Sequence, residues 1–130
     1  MKHSISIKRK ILLVEDQIIA RLPIKLILER MGYHVDVAEN GADAVSCAEQ
    51  TKYAVIIMDV GLPDIDGVEA TKKIRSSNAP SCVDVPILGL TGHAADQKRR
   101  SACLEAGMQA VHSKPVSLGV LQSLIETWDQ

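Results

Sequence analysis

Five short, largely aliphatic runs recur along the chain, with stretches of helical apolar spacing between them and after the last, and this alternation limits the fold more than any other feature. The runs are Ile11 to Val14, His34 to Ala38, Ala54 to Met58, Val85 to Leu90 and Gln109 to His112. The first, third and fourth are continuously aliphatic, as strands are when helices cover both faces of a sheet, so a central position is expected for them. In the second, Val35 and Val37 alternate with His34, Asp36 and Glu39, which marks a half-exposed strand nearer an edge. Ile19, Leu22 and Leu26 fall at helical spacing, and Gly32 stands where a helix C-cap belongs. Pro23 lies inside that helix, where it removes one backbone bond and favours a bend. Gly41 to Gln50 and Gly67 to Ser76 supply two more helices, and Ala95 to Ala106 a fourth that ends at Gly107. Leu118, Leu121, Ile125 and Trp128 form the apolar stripe of a fifth. Ser76 to Val83, rich in Ser, Asn and Pro, reads as a surface loop. The fourth helix has one large aliphatic, Leu104, and a basic run from Lys98 to Arg100, so it is expected to be the least firmly held. Strict alternation of this kind implies an α/β domain: a parallel sheet, right-handed crossovers, and helices on both faces in three layers. Ligands of such sheets bind beyond the carboxyl ends of the strands.

Composition removes several classes of function. At 130 residues one domain is expected. Fifteen basic against sixteen acidic side chains offer no electrostatic footprint for nucleic acid or a membrane surface. Trp128, Tyr33 and Tyr53 are the only aromatic residues, which speaks against base-stacking platforms. Cys47, Cys82 and Cys103 are odd in number and far apart, a pattern of reduced thiols in a cytoplasmic setting rather than a disulfide framework or a zinc site. No apolar run reaches membrane-spanning length, and Ile11 to Val14 is too short for the core of a signal peptide.

The residues at the expected strand ends are Glu15 and Asp16 after the first, Asp59 after the third, Thr91 after the fourth, and Lys114 with Pro115 after the fifth. All should converge on one rim. Three carboxylates held together raise one another's pKa unless a cation neutralises them, and a hard divalent ion such as Mg²⁺ suits oxygen ligands. An ionised Asp there can attack phosphorus, with the metal, a Lys ammonium and the Thr91 hydroxyl bearing the charge of the transferred group. Each residue also has an ordinary reading: Glu15 and Asp16 as a helix-start pair, Asp59 as turn chemistry, Thr91 as a cap for the next helix, and Lys114 as a solvated loop charge. The conjunction of four strand ends outweighs those separate readings.

The stretches ILLVEDQ at residues 11 to 17, MDVGLPDIDG at 58 to 67, PILGLTGHA at 86 to 94, AGM at 106 to 108 and SKP at 113 to 115 resemble the receiver (response-regulator) domain family of two-component signalling. The resemblance covers about Lys10 to Trp128, with residues 1–9 as an N-terminal extension and 10–130 as the receiver domain. It implies a flavodoxin-like (βα)5 fold with strand order 2-1-3-4-5. It makes Asp59 the phosphoacceptor, with Mg²⁺ bound by Asp16, Asp59 and the Gly61 carbonyl and reached through water by Glu15. Thr91 and Lys114 would contact the phosphoryl group, and the bond from Lys114 to Pro115 would be cis, as in many members. The donor would be a phosphohistidine on a histidine kinase or phosphotransfer domain, and the domain itself would catalyse both transfer to Asp59 and later hydrolysis. The wording of several stretches most resembles receivers within hybrid sensor histidine kinases, which would make the chain the cytoplasmic part of a membrane-anchored protein; a stand-alone regulator that switches a protein partner is the alternative. A monomer or weak dimer is expected.

One departure stands out. Many receivers place Tyr or Phe three residues before the Lys, and here that switch position is Val111, which cannot swing a ring between inside and outside. Weak coupling of phosphorylation to the surface, and a relay role, are the expectation. Other readings fare worse. An aspartate-nucleophile phosphatase needs a second Asp where Gly61 stands, and a flavin binder needs phosphate-cradling hydroxyls and aromatics that the chain lacks. A pseudo-receiver would be expected to have lost some of the acidic, hydroxyl and lysine set. His93, two residues after Thr91, either positions water near the phosphoryl group or is a solvated loop histidine.

Overall fold

The computed structural model describes residues 9–92 and 96–129. Five parallel strands form its sheet: β1 (Lys10–Val14), β2 (His34–Ala38), β3 (Val55–Asp59), β4 (Ile87–Thr91) and β5 (Ala110–Ser113), in the order β2-β1-β3-β4-β5. The expected strand order is therefore observed, with β2 on an edge and the three continuously aliphatic strands inside. Each strand is followed by a helix: α1 (Ile18–Arg30), α2 (Gly41–Gln50), α3 (Gly67–Ser76), α4 (Gln97–Ala106) and α5 (Leu118–Trp128). Four of the helices begin where a side chain accepts an otherwise unpaired backbone N–H: Asn40 for α2, Asp66 for α3, Asp96 for α4 and Ser117 for α5. The proposed start of the fourth helix at Ala95 lies outside the described residues, as do His93 and most of the N-terminal extension.

Alternate side chains of the strands feed two cores. Leu12, Val14, Ile56 and Met58 pack against Ala44, Ala48, Ala70, Ile74 and Cys103 of α2, α3 and α4. Ile11, Leu13, Val55, Ile57 and Leu88 pack on the other face against Ile24 and Leu28 of α1 and Leu121, Leu124 and Ile125 of α5. Burying this much aliphatic surface on both faces is the main favourable contribution to the fold. Among the described residues no helix is long and apolar enough to cross a membrane.

Local detail departs from the plain sequence pattern in three places. The first helix forms, but Ile19, Leu22 and Leu26, whose spacing announced it, face outward at 84, 49 and 54% exposure, while Ile24 and Leu28 face the sheet. Both sets have helical spacing, so the pattern marks a helix without saying which stripe is covered. Ser76 to Val83 is not simply a surface loop: it holds a 3₁₀ turn at Pro80–Cys82, and Cys82 is fully buried in the core. The basic run of α4 is partly engaged, since Arg100 donates from Nη1 to the Val111 carbonyl at 2.8 Å. The slight hold on α4 does appear: its buried residues are only Cys103 and Ala106, and Leu104 is exposed.

A carboxylate-rich site at the strand ends

The site is assembled by strand topology. β1 ends at Val14 and hands over directly to Glu15 and Asp16, while Asp59 and Thr91 are themselves the last residues of β3 and β4, and Lys114 follows β5. Parallel pairing puts all of these ends on one rim. One carboxylate oxygen from each of Glu15, Asp16 and Asp59 falls in a group spanning no more than 4.8 Å. Glu15 and Asp59 are almost entirely buried, at 2 and 5% exposure. The Lys114 ammonium bridges them, with Nζ 2.9 Å from Glu15 Oε1 and 2.9 Å from Asp59 Oδ1. The bond from Lys114 to Pro115 is cis.

The Lys114 ammonium contacts two of the three carboxylates, and the burial of Glu15 registers in its protonation. Burial pushes the Glu15 carboxyl above its ordinary range, and neither the Lys114 ammonium nor the Gln17 backbone N–H it accepts fully offsets that. For Lys114 burial pulls the other way, but hydrogen bonds to Asp59 and Glu15 win and raise its pKa. A dense group of oxygen donors with residual negative charge is what a hard divalent cation requires, so the residues present fit Mg²⁺.

The other expected residues fall as follows. Gly61 donates its backbone N–H to Asp59 Oδ1 at 3.1 Å, and a side chain at Gly61 would meet nothing within 4 Å. Thr91 is buried, and its carbonyl accepts the Lys114 N–H at 3.0 Å, tying the ends of β4 and β5 together. It does not cap α4, a task that Asp96 performs. Glu15 and Asp16 do not stand in the first turn of α1 either, which contains no acidic residue. Val111 points into the core at 1% exposure, opposite Gly89 in the sheet. Sequence reasoning missed Asp64, which lies in the loop after β3 and accepts the N–H groups of Gly41 at 2.7 Å and Ala42 at 2.9 Å. An acidic residue within a Pro- and Gly-containing loop has no pattern that announces a partner 23 positions away.

With that geometry in place, comparison with known proteins is specific. Residues 11–126 match the response regulator receiver domain. The chain is 36% identical over 116 residues to sensor protein EvgS of Escherichia coli (strain K12), covering 89% of this chain and 9% of that protein. It is 34% identical over 119 residues to sensor histidine kinase RcsC of Salmonella typhimurium, covering 91% of this chain and 12% of the relative. The chain thus spans about a tenth of the length of these curated relatives. Among solved structures it is similar to the receiver domain of sensor histidine kinase PA1611 from Pseudomonas aeruginosa PAO1, which has a magnesium ion coordinated in its active-site cleft. That likeness has a TM-score of 0.85 at 37% identity and covers 94% of this chain and 98% of the other. The receiver domain of Saccharomyces cerevisiae Ssk1, solved with the histidine phosphotransfer protein Ypd1, matches with a TM-score of 0.83 at 30% identity, covering 94 and 89%.

Proposed function

The chain belongs to the response regulator receiver domain family, and on that footing we propose that Asp59 takes a phosphoryl group from a phosphohistidine, with Mg²⁺ bound beside it. The observation that carries this reading is the cluster itself: Asp59 bonded to Lys114 and ringed by Glu15 and Asp16 at the end of β3. Asp16, Asp59 and the Gly61 carbonyl would hold the ion, with Glu15 behind them. The metal would supply charge neutralisation for the transferred oxygens.

The chain's own residues account for the rest. An Asp59 carboxylate oxygen forms the bond to phosphorus as the P–N bond of the phosphohistidine breaks, and the imidazole nitrogen leaves with the electron pair and is protonated. Lys114, held within bonding distance of Asp59 before any donor arrives, bears part of the charge on the phosphoryl oxygens. The Thr91 hydroxyl contacts the same group. Hydrolysis follows when water attacks phosphorus, returning the Asp59 carboxylate and inorganic phosphate.

The donor is a histidine kinase or histidine phosphotransfer domain. Ile18, Ile19, Leu22 and Leu26 form an exposed aliphatic strip along α1, which starts two residues after Asp16, and such a strip suits the helices of that partner. Ile19→Glu is therefore expected to slow transfer from the protein donor about tenfold or more, while labelling by acetyl phosphate is unchanged. Residues 10–130 act as the receiver unit, preceded by a short extension at 1–9, and the free thiols of Cys47, Cys82 and Cys103 support a cytoplasmic setting. The likeness to sensor kinases and the buried Val111 favour a relay role over a stand-alone regulator that switches a partner. A large phosphorylation-induced rearrangement over α4 and α5 in nuclear magnetic resonance spectra would reverse that preference.

The decisive experiment is incubation with acetyl phosphate and Mg²⁺, read by intact mass. The wild type is expected to gain one phosphoryl group and Asp59→Ala none; equal labelling of the two would remove Asp59 from the role.

A further inference from the structure

We infer that Asp64 is a positioning residue for the Mg²⁺ side of this site, holding the loop after Asp59 in place by fastening it to the first turn of α2. The inference rests on the phosphoacceptor reading above and names a part of the machinery that lies outside the cluster.

The first N–H groups of a helix have no partner within it and carry partial positive charge. In α2 they are shared between two residues of different origin. Asn40 accepts the Asp43 N–H at 2.8 Å, an ordinary local cap. Asp64, from the loop between β3 and α3, accepts the Gly41 and Ala42 N–H groups with one carboxylate oxygen each, at 2.7 and 2.9 Å. Those bonds hold its carboxyl below the usual range. The approach is close enough to demand glycine: a Cβ on Gly41 would sit 2.3 Å from Ile65 Cγ1 and 2.8 Å from the Ile65 carbonyl oxygen.

The loop so fastened is the one that bears the phosphoacceptor. Its far end is closed by the Gly67 N–H on the Val60 carbonyl at 2.8 Å, where a side chain on Gly67 would lie 2.6 Å from the Asp59 carbonyl oxygen. Between these two fixed points lies Gly61, whose carbonyl is the ligand assigned to Mg²⁺ and whose own surroundings would meet no Cβ within 4 Å. Gly61 has one bond of its own, from its N–H to Asp59 Oδ1 at 3.1 Å, and the direction of its carbonyl is left to the residues that follow it. Asp64, three residues on, is the polar anchor that ties that stretch to another element, and Leu62 and Ile65 are its apolar ones.

The test compares Asp64→Ala, Asp64→Asn and Asn40→Ala with the wild type. Mg²⁺ affinity is measured by calorimetry on the unphosphorylated protein, and acetyl phosphate labelling is followed across a range of Mg²⁺ concentrations. Asp64→Ala is expected to raise the Mg²⁺ Kd about tenfold, in line with the loss of a partner that orients a ligand. The Mg²⁺ midpoint of labelling should shift by a similar factor, with the rate at saturating Mg²⁺ within about twofold of wild type. Asp64→Asn keeps one acceptor oxygen and should fall between. Asn40→Ala removes a cap from the same helix without touching the loop, so it should lower the melting temperature and leave the Mg²⁺ Kd alone. If Asp64→Ala behaves like Asn40→Ala, Asp64 is only a helix cap and the inference is overturned. A wild type that binds no Mg²⁺ overturns the phosphoacceptor reading as well, which keeps the two failures apart.

Discussion

The two rims of the sheet treat charge in opposite ways. At the carboxyl rim, the Lys114 ammonium is bonded to two of three clustered carboxylates, and burial of Glu15 raises its pKa. At the amino rim, the Arg75 guanidinium is spread over neutral acceptors: Val85, Gly107 and Cys82 carbonyls at 2.7, 2.9 and 3.2 Å, and the Gln109 side-chain oxygen at 3.0 Å. Gln109 in turn accepts the Ile87 N–H at 2.7 Å, so one network joins the end of α3, the start of β4 and the turn before β5. Beside it, Asp129 pairs with Arg9 and accepts the Tyr33 hydroxyl, tying the start of β1 and the turn after α1 to the end of α5. Arg75, Arg9 and Tyr33 at the amino rim find their acceptors within the protein. The carboxyl rim keeps unneutralised charge for a ligand from outside, so the substitutions that cost function and those that cost stability should separate by rim.

The largest effect is at the carboxyl rim: Asp59→Asn should remove phosphoryl labelling altogether while the chain still folds, as judged by circular dichroism. Next comes Arg75→Ala. It strands the carbonyls of Gly107, Cys82 and Val85 in partly buried positions, and each lost bond to a charged donor is worth about 1.5–3 kcal/mol before relaxation. Allowing for water replacing some of them, a loss of about 2–4 kcal/mol in urea denaturation is expected, with labelling at low temperature within about twofold of wild type. Loss of labelling in folded Arg75→Ala would erase the division between the rims.

How much of this was legible in the sequence follows the same division. The carboxyl rim could be read because each of its residues adjoins a strand that betrays itself by an aliphatic run, and parallel topology does the rest. The bounds of α2 and α3 were legible too, and the structure supplies the local reason, side-chain caps from Asn40 and Asp66. The amino rim was not legible, since Arg75 meets Gly107 across 32 positions and an arginine near a helix end looks like any solvated charge. The covered face of α1 was hidden for another reason. Ile19, Leu22 and Leu26 compete with Ile24 and Leu28 as apolar stripes, and only the helix's docking on β1, β2 and the neighbouring α5 decides between them. Asp64 combines both difficulties, as a local-looking acid with a distant partner.

A smaller effect sharpens the comparison from the carboxyl side. Because burial raises the folded-state pKa of Glu15, its ionisation opposes folding: the stabilisation present below the unfolded carboxylate pKa is lost as pH rises through the folded value. Glu15→Gln should therefore be more stable than wild type at neutral pH, seen as a higher Tm, with the advantage shrinking toward pH 4. The same variant should bind Mg²⁺ more weakly. A neutral-pH loss of stability in Glu15→Gln would mean that Lys114 already balances the cluster.

The smallest effect is expected at Tyr33, where the amino rim predicts the reverse sign. Burial, and then the bond to Asp129, push its phenol up to about 12, so the neutral hydroxyl is the form the fold selects. Below the ordinary tyrosine range the bond contributes fully, and its contribution is lost as pH rises through the folded value. Tyr33→Phe leaves Asp129 with Arg9 alone and should cost about 0.5–1.5 kcal/mol at neutral pH, the usual net worth of one partly buried hydrogen bond. Ultraviolet titration provides an independent check. Tyr53, which donates to Asp36, is also shifted upward, so the chain should show little tyrosinate near pH 10, where an unperturbed phenol is half ionised. Tyr33→Phe should retain wild-type Mg²⁺ affinity and labelling, because its network ends at the opposite rim from Asp59. A change in either would require a path of coupling through the sheet, and the two rims would then have to be treated as one cooperative unit rather than two.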